Sequence, residues 1–189
     1  LPQETRDEFA PALEQMLWET MLRHEAPSQR KVLFEAFAAI ALTPDGLARA
    51  RDVWSGAMSV DELALGENDL IDIAQSLAVR LPDAAKTIVE LQVSRTENPD
   101  SLRRLEFIAP SLSADPAVRD ELFASLADEA NRSTESWVLD ALANLHHPVR
   151  TAVSERYILP SLELLQEIQV TGDIFFPKRW LDATLRNYN

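Results

Sequence analysis

His24, His146 and His147 are the only imidazoles in the chain. His24-Glu25 begins like the zinc motif H-E-x-x-H, in which two histidines one helical turn apart hold the metal and the glutamate serves as base. Ser28 stands where the second histidine belongs, and Pro27 just before it resists a continuous helix. His146-His147-Pro148 joins two helical patterns; neighbouring side chains point in different directions, which suits one metal badly, so loop or C-cap histidines are expected. Asp69 and Asp72 with Glu67 fit no EF-hand spacing and read as a solvated helix start. No G-x-S-x-G elbow and no paired His–Asp arrangement supports a serine nucleophile, and the absence of cysteine removes thiolates, disulfides and Cys-ligated zinc together.

The most varied polar stretch is Asn131-Arg132-Ser133-Thr134-Glu135-Ser136-Trp137. One reading is a capped helix start, with Glu135 at the positive end of the helix dipole and Arg132 pairing locally. The other is an arginine offered at a loop tip to a ligand carboxylate. Arg103-Arg104, Lys178-Arg179 and Arg150 are isolated cations on an acidic surface. These residues form no self-contained reactive centre.

Only four glycines occur in 189 residues, strand-like alternation is scarce, and apolar residues recur at three- and four-residue steps. An all-α chain is expected. Leu33, Phe37, Ile40 and Ala41 share a face, as do Leu70, Ile73, Ala74, Leu77 and Leu81, then Ala84, Ile88 and Leu91. Leu102, Leu105, Ile108 and Leu112 repeat the spacing, followed by Val118, Leu122 and Leu126, and by Val138, Leu142 and Leu145. Eleven prolines punctuate these stripes. Thr43-Pro44, Asn98-Pro99 and Asp115-Pro116 each combine a capping side chain with a proline suited to the first turn. Ser59-Val60-Asp61-Glu62 has capping-box spacing, and Pro110 and Pro160 should kink or split their helices.

Helix starts at Pro82, Pro99, Pro116 and Pro148 recur at about 17 residues or twice that, the rhythm of helix pairs in α-solenoids. Neither tetratricopeptide nor ankyrin signatures are present. The expectation is an irregular HEAT- or armadillo-like superhelix forming a single helical-repeat domain over residues 1–189, with a compact bundle as the other arrangement. The net charge of −13 disfavours nucleic acid and anionic lipid surfaces. No apolar run approaches the roughly 20 residues of a membrane span. The opening LPQETRDEFAP has no initiating Met and no basic leader region, so a piece of a longer chain is expected.

Near the end stands Thr171-Gly172-Asp173-Ile174-Phe175-Phe176-Pro177-Lys178-Arg179-Trp180. Gly172 is placed to close the helix carrying Leu162, Leu165 and Ile168, with residues 173 to 176 extended and Pro177 starting a last helix. Phe175, Phe176 and Trp180 are expected to be buried as a latch over the final apolar face, each ring contributing on the order of 2 kcal/mol. An exposed docking patch is the competing expectation.

NRSTESWVLDALANLHHPVR and YILPSLELLQEIQVTGDIFFPKRWLDATL resemble the C-terminal helical domain of zinc aminopeptidases related to membrane alanyl aminopeptidase and leukotriene A4 hydrolase. The likeness continues upstream through LFEAFAAIALTPDGLARARDVWSG and NPDSLRRLEFIAPSLSADPAVRD. In that family the catalytic domain carries H-E-x-x-H, a distal Glu ligand and a G-x-M-E-N loop, none of which occurs here. The resemblance therefore implies a non-catalytic domain that closes the catalytic cleft and shapes peptide access, with zinc held elsewhere in the parent and no cofactor in this piece. The implied partners are the parent's own catalytic domain and its peptide substrate. Arg132, Glu135, His147 and Arg150 are the candidate peptide or interdomain contacts, and Gly172, Asp173, Phe175, Phe176, Pro177 and Trp180 form the latch. A free-standing helical scaffold for a protein partner is the other functional expectation.

Overall fold

The computed structural model describes residues 2–188, and among them every regular element is helical. The fold class is all-α. The residues gather into two compact units, one ending at Thr96 and the other beginning at Glu97.

The first unit comprises α1 (Gln3–Arg23), α2 (Pro27–Ile40), α3 (Pro44–Ser55), α4 (Glu67–Arg80) and α5 (Ala85–Arg95). α1 packs along α2, while α4 lies against α2, α3 and α5. Met21, Phe34, Phe37, Ile71 and Leu77 are essentially sealed from solvent in its core. Trp18 meets Phe34 edge-on and lies 5.2 Å from the Phe37 ring. The Thr43-Pro44 signal becomes a real start: Thr43 Oγ1 accepts from the Gly46 N–H at 2.9 Å. A buried carboxylate joins it there. Glu14 on α1 accepts from the N–H groups of Leu42 at 2.6 Å and Thr43 at 2.9 Å, and from the Thr43 hydroxyl. α3 ends at Gly56, whose φ of +83° is the left-handed conformation that glycine adopts without strain.

Ser59–Glu62 forms only a short turn, as the nearby Gly66 suggests. The chain then enters α4 at Gly66, where Asp69 supplies the returning carboxylate and accepts from the Gly66 N–H at 2.6 Å. Leu91, placed by periodicity on the inner face, is 43% exposed, whereas Gln92 is buried. Gln92 Oε1 accepts from Trp54 Nε1 at 2.9 Å and from the Arg95 guanidinium, which also lies over the Trp54 ring. A satisfied hydrogen-bond hub thus takes the inward position.

The second unit contains α6 (Pro99–Leu112), α7 (Pro116–Ser125), α8 (Glu135–Leu145), α9 (Thr151–Ser154), α10 (Ile158–Glu163), α11 (Leu165–Thr171) and α12 (Phe176–Leu185). α8 is its centre, packed on both α6 and α12. Asn98 accepts from the N–H groups of Asp100 and Ser101, and Asp115 from that of Ala117, so both Pro-headed starts form as their sequence dictates. Pro110 sits near the end of α6, and the helix stops two residues later at Leu112. The core gathers Phe123, Leu126, Val138, Leu142, Leu145, Tyr157, Ile168, Phe176 and Trp180.

The latch differs in detail from its expected form. Phe176 and Trp180 are fully buried and meet edge-on, but Phe175 is 61% exposed. Residues 173 to 175 turn rather than extend, because Asp173 accepts through Oδ1 from the Phe175 N–H and through its carbonyl from the Phe176 N–H, both at 2.9 Å. The helix therefore begins at Phe176, one residue before Pro177. Phe176 and Trp180, one turn apart, share its inner face; Phe175, about 100° away around the axis, cannot. Gly172 lets the Phe176 ring approach: a Cβ there would stand 2.7 Å from the Phe176 ring and 2.9 Å from the Ile168 carbonyl oxygen.

Candidate functional site

A cleft of about 500 Å3 opens beside the start of α8, lined among others by Asp128, Glu129, Arg132, Glu135, Gly172 and Phe176. It brings together two of the four candidate contacts and part of the latch. Arg132 is not offered to solvent at a loop tip. Its side chain is 3% exposed and donates to Glu167 Oε1 at 2.6 Å, to Thr171 Oγ1 at 3.5 Å and to the Leu126 carbonyl. The local pairing expected from sequence is replaced by a long-range one. Glu135 Oε1 accepts from the Asp173 N–H at 2.7 Å. Two rungs, Arg132–Glu167 and Glu135–Asp173, thus fasten α11 and its following turn to the entrance of α8. With its donors directed at protein oxygens, Arg132 contributes cohesion to this cleft and not a free anion receptor.

His147 and Arg150 lie elsewhere in the unit. His147 Nδ1 accepts from the Val149 N–H at 3.2 Å and caps the short 3-10 turn Pro148–Arg150. Arg150 is 8% exposed and donates to the carbonyl oxygens of Ser111 at 2.7 Å and Leu112 at 2.9 Å. Arg119, which no spacing rule marks, is equally buried and donates to those of Ser113 and Ala114 at 2.6 and 2.8 Å. The two guanidiniums therefore cover four successive carbonyls where α6 ends, the negative pole of its dipole. Burial, followed by the nearby Arg119 charge, pushes the Arg150 guanidinium down to about 10, still cationic at neutral pH. Arg150→Ala should lower the stability of the second unit by about 2–3 kcal/mol, read from the midpoint of urea unfolding, because it strands two buried acceptors. Arg150→Lys should recover only part of the loss, since an ammonium lacks the planar fork.

His24 and Asp69 also have structural tasks, His24 through its backbone. His24 caps the end of α1, and its carbonyl accepts from the Arg30 guanidinium. Asp69 pairs with Lys31 at 2.6 Å. Partial burial works to raise its pKa, but the hydrogen bonds from Lys31 and the Gly66 N–H outweigh that and hold the carboxyl below its ordinary value. Among the described residues no three His, Asp or Glu side chains converge in a metal-holding group. No helix among them is long and apolar enough to cross a membrane. Set against known family models, curated proteins and solved structures, the chain matches none.

Proposed function

We propose that this chain is a non-catalytic helical domain of a zinc aminopeptidase, HEAT-like in its stacking of helix pairs, which borders the catalytic cleft and shapes the approach of peptides. One observation carries the reading: the stretch with the most specific resemblance, TGDIFFPKRW, is also the one whose Phe176 and Trp180 close the core of the second unit. A recurring end-of-domain motif would have this structural task. The candidate polar residues fit a supporting role as well, since Arg132, Glu135 and Arg150 are engaged in holding helices together. In this reading the zinc and the water it activates are held by the parent's catalytic domain. No step of peptide hydrolysis is assigned to this chain.

The test has two arms. The adjoining coding sequence should contain H-E-x-x-H and a distal glutamate within a few hundred codons upstream; a natural start codon immediately before Leu1 overturns the reading. The purified 189-residue chain, supplied with zinc, should release no product above blank from aminoacyl anilides. Turnover abolished by a substitution within this chain would contradict a non-catalytic role.

A second reading, a helical scaffold for a separate protein partner, is favoured by one feature. Val170 at the end of α11 and Ile174 and Phe175 in the turn that follows stand 83%, 84% and 61% exposed. An isolated coding sequence for this chain alone would favour it over the aminopeptidase assignment.

A further inference from the structure

The residues that follow α12 close over a buried histidine. His146 ends α8 and is fully removed from solvent. Its ring Nδ1 lies 2.8 Å from the Tyr188 hydroxyl, and its carbonyl oxygen accepts from Asn187 Nδ2 at 2.8 Å. The imidazole meets the rings of Tyr157 and Tyr188 edge-on, at 6.1 and 5.6 Å. Nε2 is buried with no hydrogen-bond partner among the described residues. Asn187 and Tyr188 lie beyond the helical residues of α12, so the clasp is a short irregular segment folded back on a rigid helix end.

We propose that this clasp is acid-sensitive: a proton taken up by the His146 ring opens the contact with Asn187 and Tyr188 and frees the segment after α12 from the end of α8. With the proton on either nitrogen, one ring atom satisfies Tyr188 and the other stays dry. Whichever nitrogen holds the first proton, the imidazolium carries a charge buried away from water and leaves its Nε2 N–H without an acceptor among the described residues.

Among the described residues no carboxylate hydrogen-bonds the ring to stabilise that charge. From the 3-10 turn Glu155–Tyr157, Tyr157 faces it, with its hydroxyl already donating to Asp120 Oδ1 at 2.6 Å and accepting from Arg156 at 3.1 Å. From beyond α12 comes Tyr188, whose phenol is pushed up to about 12 by burial and then by Glu155, and so stays neutral throughout the acid range. His147 is the adjacent titratable group along the chain. Burial alone pushes His146 down to about 4 from an ordinary value of 6.5. Below about pH 6.5 an opened form, with its ring in water, therefore holds more protons than the closed form. The closed form loses ground as pH falls, until both are charged below about 4. Removing Tyr188 and Asn187 wets the ring while leaving α8 and its core contacts in place.

Hydrogen exchange on the 189-residue chain tests this, comparing the amides of Arg186 and Tyr188, which follow α12, with those of α8 after correction for intrinsic rates. Between pH 7 and pH 5 the opening equilibrium of the first set should rise roughly 20-fold while α8 stays protected. His146→Phe should flatten this dependence, whereas His147→Gln should leave it intact. A flat profile in the wild type, an equal rise in His146→Phe, or a parallel rise in α8 each overturns the proposal. If His146→Phe does not fold, the wild-type ring resonances decide. A His146 ring that titrates near its ordinary value with Tyr188 still in place overturns the clasp, and titration shifted well downward in step with Tyr188 supports it.

Discussion

Trp180→Ala is expected to destabilise the second unit by about 3–5 kcal/mol, the range for emptying a large aromatic site in a packed core. Trp180 is fully buried and its Nε1 donates to the Ser161 carbonyl at 3.1 Å, so truncation removes the ring and strands an acceptor together. For a unit of under a hundred residues each kcal/mol is worth about 4–8 °C, so melting should fall by at least about 12 °C. Phe176→Ala should act with similar size, because Phe176 packs against both Trp180 and the close approach at Gly172. Phe175→Ala should stay within about 0.5 kcal/mol, since most of its ring is in water. Scanning calorimetry on the three variants separates these outcomes. Equal losses at 175 and 176 would mean that α12 starts in a different register.

The second large effect is expected at the opposite end of the chain. Glu14→Ala should cost the first unit about 3 kcal/mol, because three donors at the entrance to α3 lose one shared acceptor: the N–H groups of Leu42 and Thr43 and the Thr43 hydroxyl. The Thr43 hydroxyl also accepts from the Gly46 N–H, so its orientation is set from both sides. Gly46 gives the carboxylate its room; a Cβ there would lie 2.2 Å from Glu14 Oε2. Glu14→Gln keeps one acceptor oxygen but turns an amide N–H2 toward part of this cluster, and should cost about half as much. Chemical unfolding followed by circular dichroism measures both. An unchanged midpoint for Glu14→Ala would show that solvent replaces the carboxylate without penalty.

The helical class and several helix starts were legible because their causes are local. Thr43-Pro44, Asn98-Pro99 and Asp115-Pro116 place the capping oxygen and the fixed proline φ within three residues of each other, and each forms the cap its chemistry specifies. Glu14 was not legible, because on α1 it is one acid among many and its partners are 28 and 29 residues away. Gln92 displaced Leu91 from the inner face for the same kind of reason: Trp54 and Arg95 select it through hydrogen bonds that periodicity does not encode. At the candidate cleft, Arg132 and Glu135 were visible as a helix entrance. Glu167 and the Asp173 N–H, which bind them, come from a distant segment. The double-phenylalanine run marked a latch, but which ring turned inward depended on a one-residue shift in where α12 begins.

The ends of α8 carry one further consequence. Glu135 at its entrance holds the Asp173 N–H just before α12, and His146 at its exit holds Tyr188 just after α12. The two helices are thereby strapped at both extremities, which fixes their axial alignment as well as their contact. Sliding one past the other by a single turn, about 5.4 Å, would require both straps to fail at once. The two end contacts thus add to the packing of Phe176 and Trp180 in opposing such a slide.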